Sequence, residues 1–256
     1  MFGGIGQIGL VVLGIMVLSN IMSGAIDLQS TLLMLPGLVL ALTVHEFSHA
    51  KASDRLGDPT PEQQGRLTLN PLAHMDVMGT ICLLFGGFGW GKPVEINPSY
   101  YRNPARDSAI VSAAGPISNF ILAFIMFAAS ALLFIFGDFN QTLIQVLFTI
   151  VYSAAYMNVG LGLFNLLPLP PLDGSKILRY FLKGKALEFM FTLERYSTII
   201  IIVLFISKLP SLILGPLVDF VANGMVFAVS WILGLFMWFE KRKKYAERYF
   251  VSCDWN

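Results

Sequence analysis

Six mostly apolar stretches, near residues 5–23, 31–53, 108–136, 142–168, 188–209 and 211–239, dominate this 256-residue chain. Several reach the roughly 20 residues an α-helix needs to cross a hydrocarbon core about 30 Å thick. Hydrophobic residues make up 55% of the chain and charged residues only 13%, which excludes an ordinary soluble domain. The expectation is an all-α polytopic membrane protein with about six transmembrane helices. The stretch 79–98, GTICLLFGGFGWGKPVEINP, is apolar but rich in glycine and too short to span. It reads as a short β-like or re-entrant loop, tolerable at membrane depth only where protein or water covers its backbone. Gly215-Pro216 and Asp219 make the start of the sixth stretch a candidate re-entrant or interfacial piece.

Basic residues orient the layout. Sixteen of the 17 Lys and Arg fall in the 51–107 loop, the 171–195 segment or the C-terminal tail, and only Lys208 lies on the other side. Positive charge is retained in the cytoplasm, so both termini are expected there, in a multi-pass protein of the cell membrane. No Lys or Arg precedes the first apolar run, as a signal peptide would require. Although Met22–Ala25 offers the small residues of a cleavage site, the first span is expected to be retained. A net charge of +1, with its basic residues dispersed, gives no reason to invoke nucleic acid. Cys82 and Cys253 are far apart and suggest neither a disulfide framework nor a thiolate metal site. The longest loop has about 55 residues, too few for a sizeable soluble core, so residues 1–256 are read as one membrane domain.

The second span carries LTVHEFSHA. His45 and His49 are four residues apart, so on a helix they share a face and can both reach one zinc ion at roughly 2.0–2.1 Å. Glu46 sits about 100° round the helix, placed to take a proton from a water that the ion polarises. Chance HExxH strings occur on soluble helices, where the polar groups face water. Here an ionisable residue at the bilayer centre costs roughly 2.5–3.5 kcal/mol, which marks a functional interior. Two of the chain's three histidines fall in this motif.

A catalytic zinc takes a third protein ligand and keeps an open position. The fourth span ends in NLLPLPPLDGSKIL, residues 165–178, whose prolines break the helix before Asp173. By spacing alone Asp173 is either that ligand or a helix-capping turn residue. In AAGPISNFILA, residues 113–123, Gly115-Pro116 loosens the third span, and Ser118 and Asn119 are polar within it. Asn119 and Asn165 are candidates to donate to an oxyanion or orient a substrate strand, or else to act as interhelical glue. His74 is a conceivable extra ligand whose loop position favours a structural or solvated role. Asp219, Trp231 and Trp238 read as packing and interface residues.

Together, HEFSHA, GRLTLNPLAHMD, GFGWGKPVEINP, AGPISN and NLLPLPPLDG resemble the site-2 protease family of intramembrane zinc metalloproteases, over about residues 32–178. The resemblance implies a three-helix catalytic core, about residues 31–178, in which His45, His49 and Asp173 bind Zn2+ and Glu46 activates water. It also implies that Asn165 lies beside the metal. Spans 5–23, 188–209 and 211–239 are then peripheral. The match is to the compact branch of the family, without the PDZ or CBS domains of other branches, although Gly91 stands where relatives often have alanine.

The expected activity is hydrolysis of peptide bonds in or near transmembrane segments of a membrane-protein or peptide substrate, close to the cytoplasmic face. A membrane metal transporter would also place His and Asp within spans, but no second polar site marks a path. A non-catalytic protein that grips transmembrane helices would have no need of Glu46.

Overall fold

The computed structural model describes residues 28–76, 79–80, 91–207 and 209–234. Helix α1 is Leu28–Arg55, followed by the short α2, Thr60–Gln63, and two 3-10 turns at Pro71–Ala73 and Pro98–Tyr100. Then come α3, Pro104–Phe136, α4, Thr142–Asn165, α5, Asp173–Phe181, α6, Lys185–Arg195, α7, Ser197–Ile206, and α8, Leu209–Ile232. Among the described residues, four segments are long and apolar enough to cross a membrane: Thr31–Arg55, Pro104–Phe136, Thr142–Asn165 and Leu212–Ile232. The chain is thus a polytopic all-α membrane protein.

Local chemistry explains the helix ends. Asn103 accepts a hydrogen bond from the Arg106 N–H, and Pro104 occupies the first turn of α3, where its missing N–H has no helical partner to lose. At 33 residues α3 is about 50 Å long, so it extends beyond the hydrocarbon core. Asn165 closes α4, and Pro168, Pro170 and Pro171 keep the chain from continuing as helix until Asp173 opens α5.

Helices α1, α3 and α4 pack on one another, and α8 packs against α3 and α4. The apolar core joins α3, α4 and α8 through Ala123, Phe127, Tyr152, Val159, Ala222 and Val226. Phe148 stacks on Tyr152 with ring centroids 5.5 Å apart, and Phe127 meets the same tyrosine edge-on at 5.6 Å. Small residues set the approach of α1 to α4: a Cβ on Gly37 would lie 2.6 Å from the Ala154 Cα. Lipid removes the hydrophobic drive between membrane helices, so close packing of this kind supplies cohesion.

Two expectations about the periphery change. The span expected over 188–209 is interrupted at Tyr196, between α6 and α7. Glu188, Glu194 and Arg195 are exposed on α6, charges that the core of a bilayer would not accommodate, and α7 has only ten residues. The start of the sixth stretch is a continuous helix with Pro216 inside it, not a separate re-entrant piece. The first span, residues 81–90 of the glycine-rich loop and Trp238 lie outside the described residues. At that loop's edge Gly91 makes a single antiparallel bridge with Met75, and 92–97 run without regular structure.

A buried carboxylate fastens this segment to the end of α1. Asp58 accepts from the Ser53 hydroxyl at 2.8 Å, the Thr60 N–H at 3.0 Å and the Asn97 N–H at 2.7 Å. Ser53 in turn pairs with the Tyr101 hydroxyl at 2.6 Å. Burial pushes the Asp58 carboxyl up, but the donors from Asn97, Thr60 and Ser53 outweigh it and hold the group below its usual range. A carboxyl lowered in the folded state stabilises fully above its unfolded value, about 3.9, and loses that contribution as pH falls through the folded value. Thermal stability in detergent should therefore fall on acidification below about pH 4. Asp58→Asn should cost about 1–3 kcal/mol at neutral pH and flatten that acid limb, because an amide cannot accept all three bonds.

Candidate metal centre

His45 and His49 project from the same face of α1, as their spacing requires, and both are buried. Their rings meet edge-to-face at 4.6 Å between centroids. The α4–α5 break delivers Asp173 to the same point. His45 Nε2, His49 Nε2 and Asp173 Oδ2 form a nearly equilateral triangle with sides of 3.0, 3.1 and 3.2 Å. Among the described residues these three form a group able to hold a metal ion.

The protons on the imidazoles decide what can sit there. His49 Nδ1 lies 2.7 Å from the Val111 carbonyl, which only accepts, so Nδ1 carries the proton. His45 Nδ1 lies 2.7 Å from Asn119 Oδ1, again an acceptor. In the neutral rings both Nε2 atoms therefore direct lone pairs at each other and at a carboxylate oxygen. Asp173 is buried as well, with the Lys176 ammonium 3.8 Å from its Oδ1. Three buried acceptors facing one another repel unless a cation lies between them. One proton could satisfy only part of the set. A zinc ion with bonds of about 2.0–2.1 Å would space tetrahedral ligands roughly 3.3–3.4 Å apart, close to the observed triangle. The donor set fits zinc.

Glu46, half-buried, turns to the neighbouring side of α1, where Oε2 accepts from the Val94 N–H at 2.9 Å. Among the described residues no donor binds its Oε1. The two asparagines differ. Asn119 is fully buried and has both amide hydrogens engaged, with the Ala41 carbonyl at 3.1 Å and Asn158 Oδ1 at 2.8 Å. In this arrangement it has no free donor for an oxyanion and stands behind His45. Asn165, at the end of α4, donates to the Leu161 carbonyl at 3.1 Å. His74 is fully buried rather than solvated. Its Nε2 bonds the Thr68 carbonyl at 2.8 Å and its own carbonyl accepts from Lys92 N–H, so it braces the loop and is absent from the metal group.

Sequence reasoning missed Gly174 and Asn158, and it gave Gly115 a different role. A Cβ on Gly115 would lie 2.5 Å from His49 Nε2 and 2.6 Å from His45 Cε1, so glycine here makes room for both rings rather than loosening the helix. A Cβ on Gly174 would lie 2.2 Å from the Leu166 carbonyl oxygen, so glycine lets α5 dock against the end of α4. Gly115→Ala should leave the protein inserted but lower its zinc content at least several-fold, since the rings must leave the triangle. Zinc measured per purified chain checks this, and unchanged content would show that the rings tolerate the displacement.

The comparisons with known proteins agree with this chemistry. The model of peptidase family M50 matches residues 133–209, which include Asp173. The chain is 41% identical over 187 residues to a Bacillus subtilis protein named "Putative zinc metalloprotease YwhC", covering 71% of this chain and 84% of that relative. Two proteins named "Putative zinc metalloprotease Rip2" are each 30% identical: one from Mycolicibacterium smegmatis, over 69% of this chain and 67% of the relative, and one from Mycobacterium tuberculosis, over 79% and 73%. No solved structure gives a significant match. With relatives of this similarity and coverage, and with Zn2+ as the metal they imply, the chain belongs to peptidase family M50, the site-2 proteases, and is a multi-pass membrane zinc metalloprotease.

Proposed function

We propose that the protein is an intramembrane endopeptidase that cuts peptide bonds in or near transmembrane segments of membrane-protein substrates. His45, His49 and Asp173 hold the zinc, and Glu46 is the general base. The single observation that carries this reading is the convergence of three buried lone pairs between apolar helices, one residue from a carboxylate. A site of this kind within the bilayer meets substrates that are themselves in the bilayer.

Bound zinc supplies a Lewis acid that polarises a carbonyl and lowers the pKa of water towards roughly 7. The chain's own groups do the rest. Glu46 takes the proton of the attacking water on a carboxylate oxygen and passes it to the departing amine. The Val94 N–H holds Oε2, so the carboxylate stays aimed while Oε1 is left for the proton. Asn165, which closes α4, is the proposed group that orients the substrate backbone. Helical substrates hide their amides in internal hydrogen bonds, so the scissile segment must unwind, as an added strand along the 79–98 loop. Arg and Lys placement supports an active site towards the cytoplasmic face with both termini in the cytoplasm.

Purified wild type should carry about one zinc per chain, lost or weakened in His45→Ala and Asp173→Ala. Glu46→Gln should keep the zinc and reduce cleavage of a reconstituted transmembrane substrate by at least about 100-fold. Metal binding unchanged by Asp173→Ala would remove the three-ligand site. Helix-breaking glycine or proline near the cytoplasmic end of the substrate should raise cleavage, and indifference to them would remove the unwinding step.

A further inference from the structure

Asn158 lies on α4, away from the three donor atoms, and belongs to none of the motifs that identify the site. It is fully buried, as is Asn119, and His45 is 4% exposed. The hydrogen bonds that join them run in one direction. The Ala154 carbonyl can only accept, and Asn158 Nδ2 donates to it at 2.8 Å. That fixes the amide, so Asn158 Oδ1 faces Asn119 and accepts from its Nδ2 at 2.8 Å. The other hydrogen of that Nδ2 goes to the Ala41 carbonyl on α1 at 3.1 Å. Asn119 can then present only Oδ1 to His45, whose Nδ1 lies 2.7 Å away and must carry the proton.

We propose that Asn158 is a positioning residue for the metal centre: together with the Ala41 carbonyl it sets the Asn119 amide, which holds His45 as the Nδ1–H tautomer, with the Nε2 lone pair aimed at the zinc. The inference rests on the zinc reading above for its purpose, but the relay itself is a property of the metal-free chain. Were Asn119 reversed, its Oδ1 would face the Ala41 carbonyl and its Nδ2 would face His45 Nδ1. His45 would then have to bond through Nδ1 as an acceptor and carry its proton on Nε2, where the metal binds. Outer partners that fix a ligating histidine in this way are worth about 10–100-fold in metal affinity. His49 needs no relay, because a backbone carbonyl fixes it directly. In this reading polar helix contacts and ligand orientation are one structure.

Three variants separate this role from a packing role. Asn158→Ala removes the acceptor for Asn119. Asn158→Asp, as the carboxylic acid, offers the same donor and acceptor pattern. Ser153→Ala, on the same helix, removes a buried hydroxyl that has no partner among the described residues and serves as the control. Zinc affinity by chelator competition should fall in Asn158→Ala, by less than the about 10–100-fold that loss of Asn119 itself would bring, return in Asn158→Asp and stay unchanged in Ser153→Ala. Nitrogen-15 NMR of the histidine rings supplies a readout that packing alone would not move, with only three histidines to assign. In metal-free wild type at about pH 8.5, where a free imidazole is neutral, His45 should be protonated on Nδ1. In Asn158→Ala a mixture of tautomers should appear. An Nε2–H tautomer in metal-free wild type would overturn the relay even if Asn158→Ala fails to fold, and so would wild-type affinity and tautomer in Asn158→Ala. Failure of wild type to bind zinc would instead sink the metal reading, and the tautomer result would still decide the relay.

Discussion

A polar group inside a bilayer has to find its partner within the protein, and the fold is arranged around that requirement. Asn119 is where it is met most densely. With three hydrogen bonds it joins α1 to α4 through α3, touching the Ala41 carbonyl, the His45 ring and the Asn158 side chain. Leaving one such group unmet in a buried site costs about 1–3 kcal/mol, comparable to a large part of the packing gain of a single side chain. The three-helix arrangement therefore depends on polar geometry as much as on apolar packing. Small residues make the approach feasible: Gly37 against Ala154, and Gly115 against the two imidazoles.

The centre is then assembled from parts with different origins. Regular helix geometry gives the His45–His49 pair at no structural expense. A broken helix gives Asp173, because a continuous α4 would carry the chain onward instead of turning it back. Backbone and side-chain acceptors behind the rings give both histidines the same proton placement. The loop on the other side contributes the Val94 amide on Glu46, and Asp58 anchors that loop further along at Asn97. Glu46 and Asp58 thus hold the same extended segment at points three residues apart.

Much of this was legible in the sequence, for physical reasons specific to each part. Apolar length announces α1, α3, α4 and α8, and the four-residue histidine spacing is readable because it depends on one helix alone. Asp173 is different: its spacing fits a cap as well as a ligand, and only its motif context separated the two. Asn119 was visible as a polar intruder, but which way its amide faced depended on Ala41 and Asn158, 78 and 39 residues away. Asn158 itself sat in an apolar run with nothing local to distinguish it. The interruption at Tyr196 was obscured by the apolar run of α7, which extended the apparent span over a charged neighbour. Local periodicity carries element type; it does not carry which amide hydrogen meets which carbonyl.

The histidine pair and Asp173 are separated by 124 residues, counted from His49. Synthesis at about 5–20 residues per second puts an interval of roughly 6–25 s between their appearances. During that time α1 can enter the bilayer with two donors in place and the third still unmade. Two imidazoles hold a metal more weakly than the full set, and a chain that ends before Asp173 lacks the third donor. The order of the segments along the chain thus sets the order of assembly: the three-donor group cannot form before α3, α4 and the start of α5 have been made.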